Sequence, residues 1–244
     1  MRLGQVPRCA TGRLHTLADL ATGRGIDGAV VIFFVVSLTE LPADLPAPVD
    51  DGAADHLPGL RVPALRLAST AGRLVDLSAL GPGRTVLFCY PMTGRPDRPV
   101  PAAWDAIPGA RGCTPESCGF RDHARDLENL GATIFGVSAQ ATQDQREAAE
   151  RLQLPFELLS DRRLELASAL RLPTFQVPAD LAFLLGLHTK PTPGDENRGD
   201  EPVTLLKRLT MVVREGLIER VFYPIFPPDR HAEEVLRWLG SAAG

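Results

Sequence analysis

The chain has 244 residues, 44% of them hydrophobic and 23% charged, enough for one sizeable domain with extensions or for two small ones. A formal charge of -4 argues against a protein whose business is nucleic acid or an anionic membrane surface, so the expected partners are small molecules or other proteins. Four cysteines, Cys9, Cys89, Cys113 and Cys118, are too few and too unevenly placed for a secreted disulfide framework, and a reducing, cytoplasmic setting fits better.

Residues 1–45 read as a leader or linker that adds nothing to the chemistry, followed by one domain over 46–244. The apolar run Ala29 to Leu38 is about half the roughly 20 residues that a membrane-spanning helix needs. Arginines precede it, but "TELPADLPAP" after it offers no small-x-small cleavage site. From Leu60 the pattern sharpens. "ALRLASTAGRLVDLSAL" alternates apolar and polar residues around Ala71-Gly72, which predicts a β-hairpin, and "RTVLFCY" (84–90) predicts a strand buried on both faces.

"TPESCGFRDHARDLENLG" places Phe120, Ala124 and Leu127 on one face of a helix that Gly131 stops. "ATIFGVS" is a second buried strand. Thr142 and Gln145 stand in capping-box spacing at the start of "TQDQREAAERL". "FELLS" is a short strand, and "DRRLELASALRL" a helix with Ser160 as its expected N-cap. A polar surface loop is expected over Lys190 to Pro202. "RLTMVV", "REG" and "LIERVFYP" predict a hairpin, and "PDRHAEEVLRWL" a closing amphipathic helix with Asp229 near its N-cap. This order predicts an α/β sandwich around a mixed sheet.

Cys113 falls in the first turn of its helix, where unpaired N–H groups and the helix dipole stabilise an anion, so a lowered thiol pKa is expected. Cys118 follows about 140° around the helix and about 7.5 Å along it, giving a Cα separation of roughly 8.6 Å. A disulfide tolerates about 7 Å, so joining the two requires the helix to unwind. Gly119 weakens the helix there, and Pro115 has no N–H to lose in the first turn. A metal site of Cys113, Cys118 and His123 is the rival reading; C-x4-C-x4-H lacks the close bite usual for zinc, and no fourth ligand is nearby in sequence. Cys89, mid-strand, reads as inert core.

The stretch "GCTPESCGFRDHARDLENLGATIFGVSAQ", with "LPFELLSD" and "KRLTMVVREGLIERVFY", resembles the peroxiredoxins, specifically the peroxiredoxin Q or bacterioferritin-comigratory branch with its TPGCTxExCxFRD pattern. The resemblance covers about residues 58–240, with insertions at about 92–108 and 179–202. It implies a thioredoxin-like fold, a central mixed sheet flanked by helices with an N-terminal hairpin extension. It further implies a thiol peroxidase acting on hydrogen peroxide or organic hydroperoxides, with Cys113 as peroxidatic nucleophile and Cys118 as resolving cysteine. Arg208 of "KRLTMVV" matches the family's arginine beside the thiolate, and Glu116 the glutamate of CTxE. No cofactor or metal is implied. The implied partners are a hydroperoxide and a thioredoxin-like reductant, for a monomer or homodimer.

Two positions depart from the pattern. Ala110 stands where the family has an active-site threonine, and Arg111 replaces its proline. Pro91 and Thr93, in a longer loop, are the expected substitutes, with Arg111 as a second cation by the thiolate. An alternative keeps the fold but makes the protein a thiol-disulfide exchanger or redox-sensing binding module, although no C-x-x-C is present. Arg121 and Asp122 are expected to form a structural ion pair, Trp104 to anchor its loop, and Trp238 to lie in the core.

Overall fold

The computed structural model describes residues 41–98, 100–187 and 201–242. Cys9, the Ala29–Leu38 run and nearly all of the expected Lys190–Pro202 loop lie outside these residues.

Nine strands and seven helices are described. The hairpin β1 (Arg66–Ser69) and β2 (Leu74–Asp76) forms where the alternation predicts it. The apolar runs become β3 (Arg84–Cys89), β4 (Ala132–Ser138) and β5 (Glu157–Ser160), mutually parallel in the order β5-β4-β3. The hairpin β8 (Leu209–Arg214) and β9 (Leu217–Phe222) pairs antiparallel with β3. Its turn puts Glu215 and Gly216 at φ of 52° and 76°, the doubly left-handed turn that matches strand twist. The sheet order is β2-β1-β5-β4-β3-β8-β9.

Period-two alternation along β3 sends Val86 and Phe88 to one core with Phe120, Leu127 and Val235, and Leu87 and Cys89 to the other with Leu166 and Leu170. Helices therefore cover both faces. α2 (Cys113–Asp122), α3 (Ala124–Asn129) and α7 (His231–Ser241) lie on the first face, and α5 (Glu165–Leu170) on the second. α4 (Thr142–Leu152) packs against β5. This is the thioredoxin-like mixed α/β architecture that the sequence predicts.

Several local expectations are corrected. The expected single helix after Cys113 is two helices, broken at His123, whose φ of -102° and ψ of 5° are not helical. No capping box closes on α4: its N-cap is Ala141, and Gln145 instead donates to Ser138 Oγ (2.9 Å) and Leu159 O (2.8 Å). Ser160 does not cap α5, because its hydroxyl donates to Gln140 O at 2.6 Å. Asp161 accepts from the N–H groups of Leu166 (3.1 Å) and Ala167 (2.9 Å) and performs that task. Asp229 does lie beside the N-cap of α7, Arg230, in a 3-10 turn (Pro228–Arg230), although no side-chain cap bond is made there. Trp238 sits at the core's edge, edge-on to Phe222 and under the Arg84 guanidinium.

A second, two-stranded sheet was not expected: β6 (Thr174–Val177) pairs antiparallel with β7 (Val203–Leu206). With α1 (Ala102–Asp105) and α6 (Ala179–Leu185) it builds a third apolar cluster from Met92, Trp104, Ala110, Val177, Leu181 and Leu185. The described parts of both expected insertions thus pack together, and Trp104 is buried in their shared core.

Candidate active site

Strand β3 leads through a long loop to Gly112, which holds φ at 107° as the N-cap of α2. A Cβ there would lie 2.3 Å from Pro228 and 3.2 Å from Leu41, so only glycine fits between the loop and the 3-10 turn. Leu41 and Pro48, which lies near Gly109, thus bring the segment around residues 41–51 against this loop. Phe120 stacks on Phe88 with ring centroids 4.4 Å apart, fixing α2 on β3.

α2 begins at Cys113, as expected, and both Cys113 and Cys118 are buried, with no disulfide between them. Arg208, between β7 and β8, reaches Cys113: its Nη2 donates to Sγ at 3.2 Å and to the carbonyls of Arg111 (3.2 Å) and Gly109 (3.4 Å). Its Nη1 donates to Glu116, one turn along α2. The Cys113 thiol can donate to Ala110 O at 3.6 Å. Cys113, Glu116 and Arg208 therefore form one buried cluster.

The thiol pKa is raised, not lowered as its helix position predicted. Burial is the largest cause; Arg208 opposes it by charge, Glu116 adds to it, and the Met92 backbone N–H opposes it. Burial likewise raises Glu116, against the pull of Arg208 and His231. Arg208 is raised despite burial, because Cys113 and Glu116 both favour its cation. The first turn of α2 is too dry for the helix terminus alone to activate the sulfur, and the guanidinium is the group that favours thiolate.

Thr93 does not join the cluster. Its N–H and hydroxyl both donate to Gln140 Oε1, at 2.8 and 3.1 Å, and Gln140 Nε2 donates back to the Thr93 carbonyl. This lock holds the loop after β3 and commits the hydroxyl expected to replace the family threonine. At Ala110 only a backbone carbonyl faces the sulfur. Arg111 is buried and pairs with Asp105 at 3.3 Å. It shares with Cys113 the lining of a small chamber, about 20 Å³, closed by Met92, Val100, Trp104 and Leu185. Sequence reasoning missed Leu185 and Gln140; α6 is far from Cys113 in sequence, and nothing in its composition points there.

Cys89 lies fully in the core, its thiol pKa raised by burial. Arg121 donates to Asp122 (2.8 Å) and to Leu152 O (2.9 Å), tying α2 to the end of α4. His123 faces Asp126 (3.7 Å) and Glu233 (4.0 Å) at the helix break. Among the described residues no cluster of His, Cys, Asp and Glu could hold a metal ion, and no helix is long and apolar enough to cross a membrane.

The model of the AhpC/TSA family matches residues 105–191, from α1 through α6. Chloroplastic peroxiredoxin Q of Sedum lineare is 26% identical over 75% of this chain and 77% of its own length. The Gentiana triflora peroxiredoxin Q is 26% identical over 84% of the chain and 79% of its own. The crystal structure of peroxidoxin BcpB from Mycobacterium tuberculosis superposes with a TM-score of 0.53 at 25% identity, covering 76% of this chain and 98% of that one. The cysteine pair, the arginine and the sheet that positions them agree with these similarities: the chain resembles the peroxiredoxins, above all peroxiredoxin Q and the bacterioferritin-comigratory proteins.

Proposed function

We propose that the protein is a thiol peroxidase in which Cys113 reduces a hydroperoxide and Cys118 resolves the product. The observation that supports the reading is the buried Arg208, with one nitrogen 3.2 Å from Cys113 Sγ and the other on Glu116. In the first step the thiolate attacks the terminal peroxide oxygen, the S–O bond forms as O–O breaks, and the alkoxide or hydroxide leaves as alcohol or water after protonation. Arg208 stabilises the attacking anion and the charge that develops on the departing oxygen. Cys113 is then a sulfenic acid. The Cys118 thiolate attacks its sulfur, hydroxide leaves as water, and a disulfide results. A thioredoxin-type dithiol restores both thiols, itself becoming a disulfide.

The second step carries a structural demand. α2 runs unbroken from Cys113 to Cys118, so ideal helix geometry keeps the Cα atoms roughly 8.6 Å apart. The first turns of α2 must open, and Pro228 and Gly112 must separate for them to do so. Stopped-flow peroxide consumption with intact-mass analysis tests the assignment. Cys113→Ser is expected to lose turnover, and Cys118→Ser to retain the first oxidation but accumulate sulfenic or over-oxidised Cys113. Peroxide turnover in Cys113→Ser would overturn the reading.

A further inference from the structure

The chamber beside Cys113 is small, and its apolar walls come from segments far apart in the chain. It measures about 20 Å³, against the roughly 10–15 Å³ that a single water needs. Hydrogen peroxide, one oxygen larger than water, is close to that limit, and a branched alkyl group exceeds it. The walls are Met92 and Val100 in the loop after β3, Trp104 of α1 and Leu185 of α6.

These walls are anchored. Met92, Trp104 and Leu185 are 7%, 3% and 8% exposed and belong to one apolar cluster with Val177, Leu181 and Leu205. α6 buries Leu181, Ala182 and Leu185 in that cluster and leaves Phe183 and Leu184 in solvent, so the helix has a settled inner face. Polar contacts hold the rest. The Thr93–Gln140 lock fixes the residue after Met92, and Arg151 Nη2 donates to Gly94 O at 2.9 Å. The Arg111–Asp105 pair ties α1, which carries Trp104, to the residue two before Cys113. Widening the chamber therefore means drawing large side chains out of a packed core rather than moving a surface loop. We infer that Met92, Val100, Trp104 and Leu185 form a size filter that restricts Cys113 to hydrogen peroxide and turns away branched alkyl hydroperoxides. The filter rests on the peroxidase reading above and narrows its substrate class.

Single-turnover stopped-flow oxidation of the reduced, full-length protein tests the filter, with hydrogen peroxide and tert-butyl hydroperoxide as oxidants and intact mass to identify the product. Each rate constant is divided by that of the same oxidant with free cysteine, which removes the oxidant's own reactivity. One methylene too many in a tight pocket is worth about tenfold to two-hundredfold, so wild type should disfavour tert-butyl hydroperoxide by at least about a hundredfold. Val100→Ala, a truncation at a half-buried loop position, and Leu185→Ala, on α6, should each raise the ratio of tert-butyl hydroperoxide to hydrogen peroxide reactivity by about tenfold or more. Thermal melts report whether each variant folds, and Val100→Ala carries the test where Leu185→Ala does not. A merely structural role for these side chains lowers both rates together, and an unchanged ratio in folded Val100→Ala overturns the filter. A wild type that takes both oxidants within about tenfold of each other also overturns it, while leaving the peroxidase standing. Inertness toward both oxidants is a different failure, which removes the peroxidase reading and the filter with it.

Discussion

Replacing Arg208 by methionine separates the chemistry of the cluster from its contribution to folding. The substitution keeps length and apolar volume but deletes one charged hydrogen bond to Cys113 Sγ and one to Glu116. A hydrogen bond to a charged group is worth about 1.5–3 kcal/mol, so the reaction with peroxide near neutral pH should slow about ten- to a hundred-and-fifty-fold. The thiol pKa should rise, because Arg208 is the main group opposing the burial that already raises it. Glu116, left buried without its cation, costs about 3–5 kcal/mol of stability. The double variant Arg208→Met/Glu116→Gln removes the stranded carboxylate and should recover most of that stability while remaining slow. Thermal melts report the first effect, stopped-flow peroxide consumption the second, and iodoacetamide alkylation against pH the thiol titration. An Arg208→Met protein with unchanged alkylation profile and unchanged peroxide rate would refute the role given to the guanidinium.

Other expectations follow from the same geometry. Leu185→Ala should enlarge the 20 Å³ chamber at the thiol and raise kcat/KM for cumene hydroperoxide relative to hydrogen peroxide, measured side by side. Gly136→Ala would place a Cβ 2.5 Å from Leu158 and 2.7 Å from Phe88, and overpacking of this kind should cost about 1–3 kcal/mol in denaturant unfolding. The Asp51 carboxyl is held well below its ordinary range by hydrogen bonds from Lys207 and Tyr223. A carboxylate with a depressed folded pKa stabilises the fold above its unfolded value of about 3.9 and loses that contribution as pH falls below it. Asp51→Asn should therefore weaken these contacts at neutral pH and flatten the acid limb of the stability curve between about pH 4 and 2, followed by circular dichroism.

Most of the sheet was legible because its central strands are buried on both faces, and a run such as "RTVLFCY" carries that fact in composition alone. The cluster of Cys113, Glu116 and Arg208 was legible through motif order, since Arg208 is remote in sequence and no local pattern brings it to the sulfur. What escaped depends on contacts between distant segments. β6 and β7 are short and only partly buried, and they pair across a long intervening stretch, so neither shows a strong period. Ser160 and Asp161 are both acceptable caps by residue type, and the choice between them follows from Gln140 claiming the serine hydroxyl. The thiol's electrostatics were misjudged for a related reason: a helix start is visible in sequence, but the depth at which it is buried is not.

Trp104 gives the site an optical consequence. The chain has two tryptophans, one on the wall of the Cys113 chamber and the other remote, packed on Phe222 and Arg84 at the last helix. Oxidation of the sulfur adds a polar oxygen beside one indole and leaves the surroundings of the other unchanged. The proposed opening of α2 should then expose that same ring to water. Intrinsic fluorescence should therefore resolve the two chemical steps as successive phases, with Trp238 as a steady background and Trp104→Phe as the silent control.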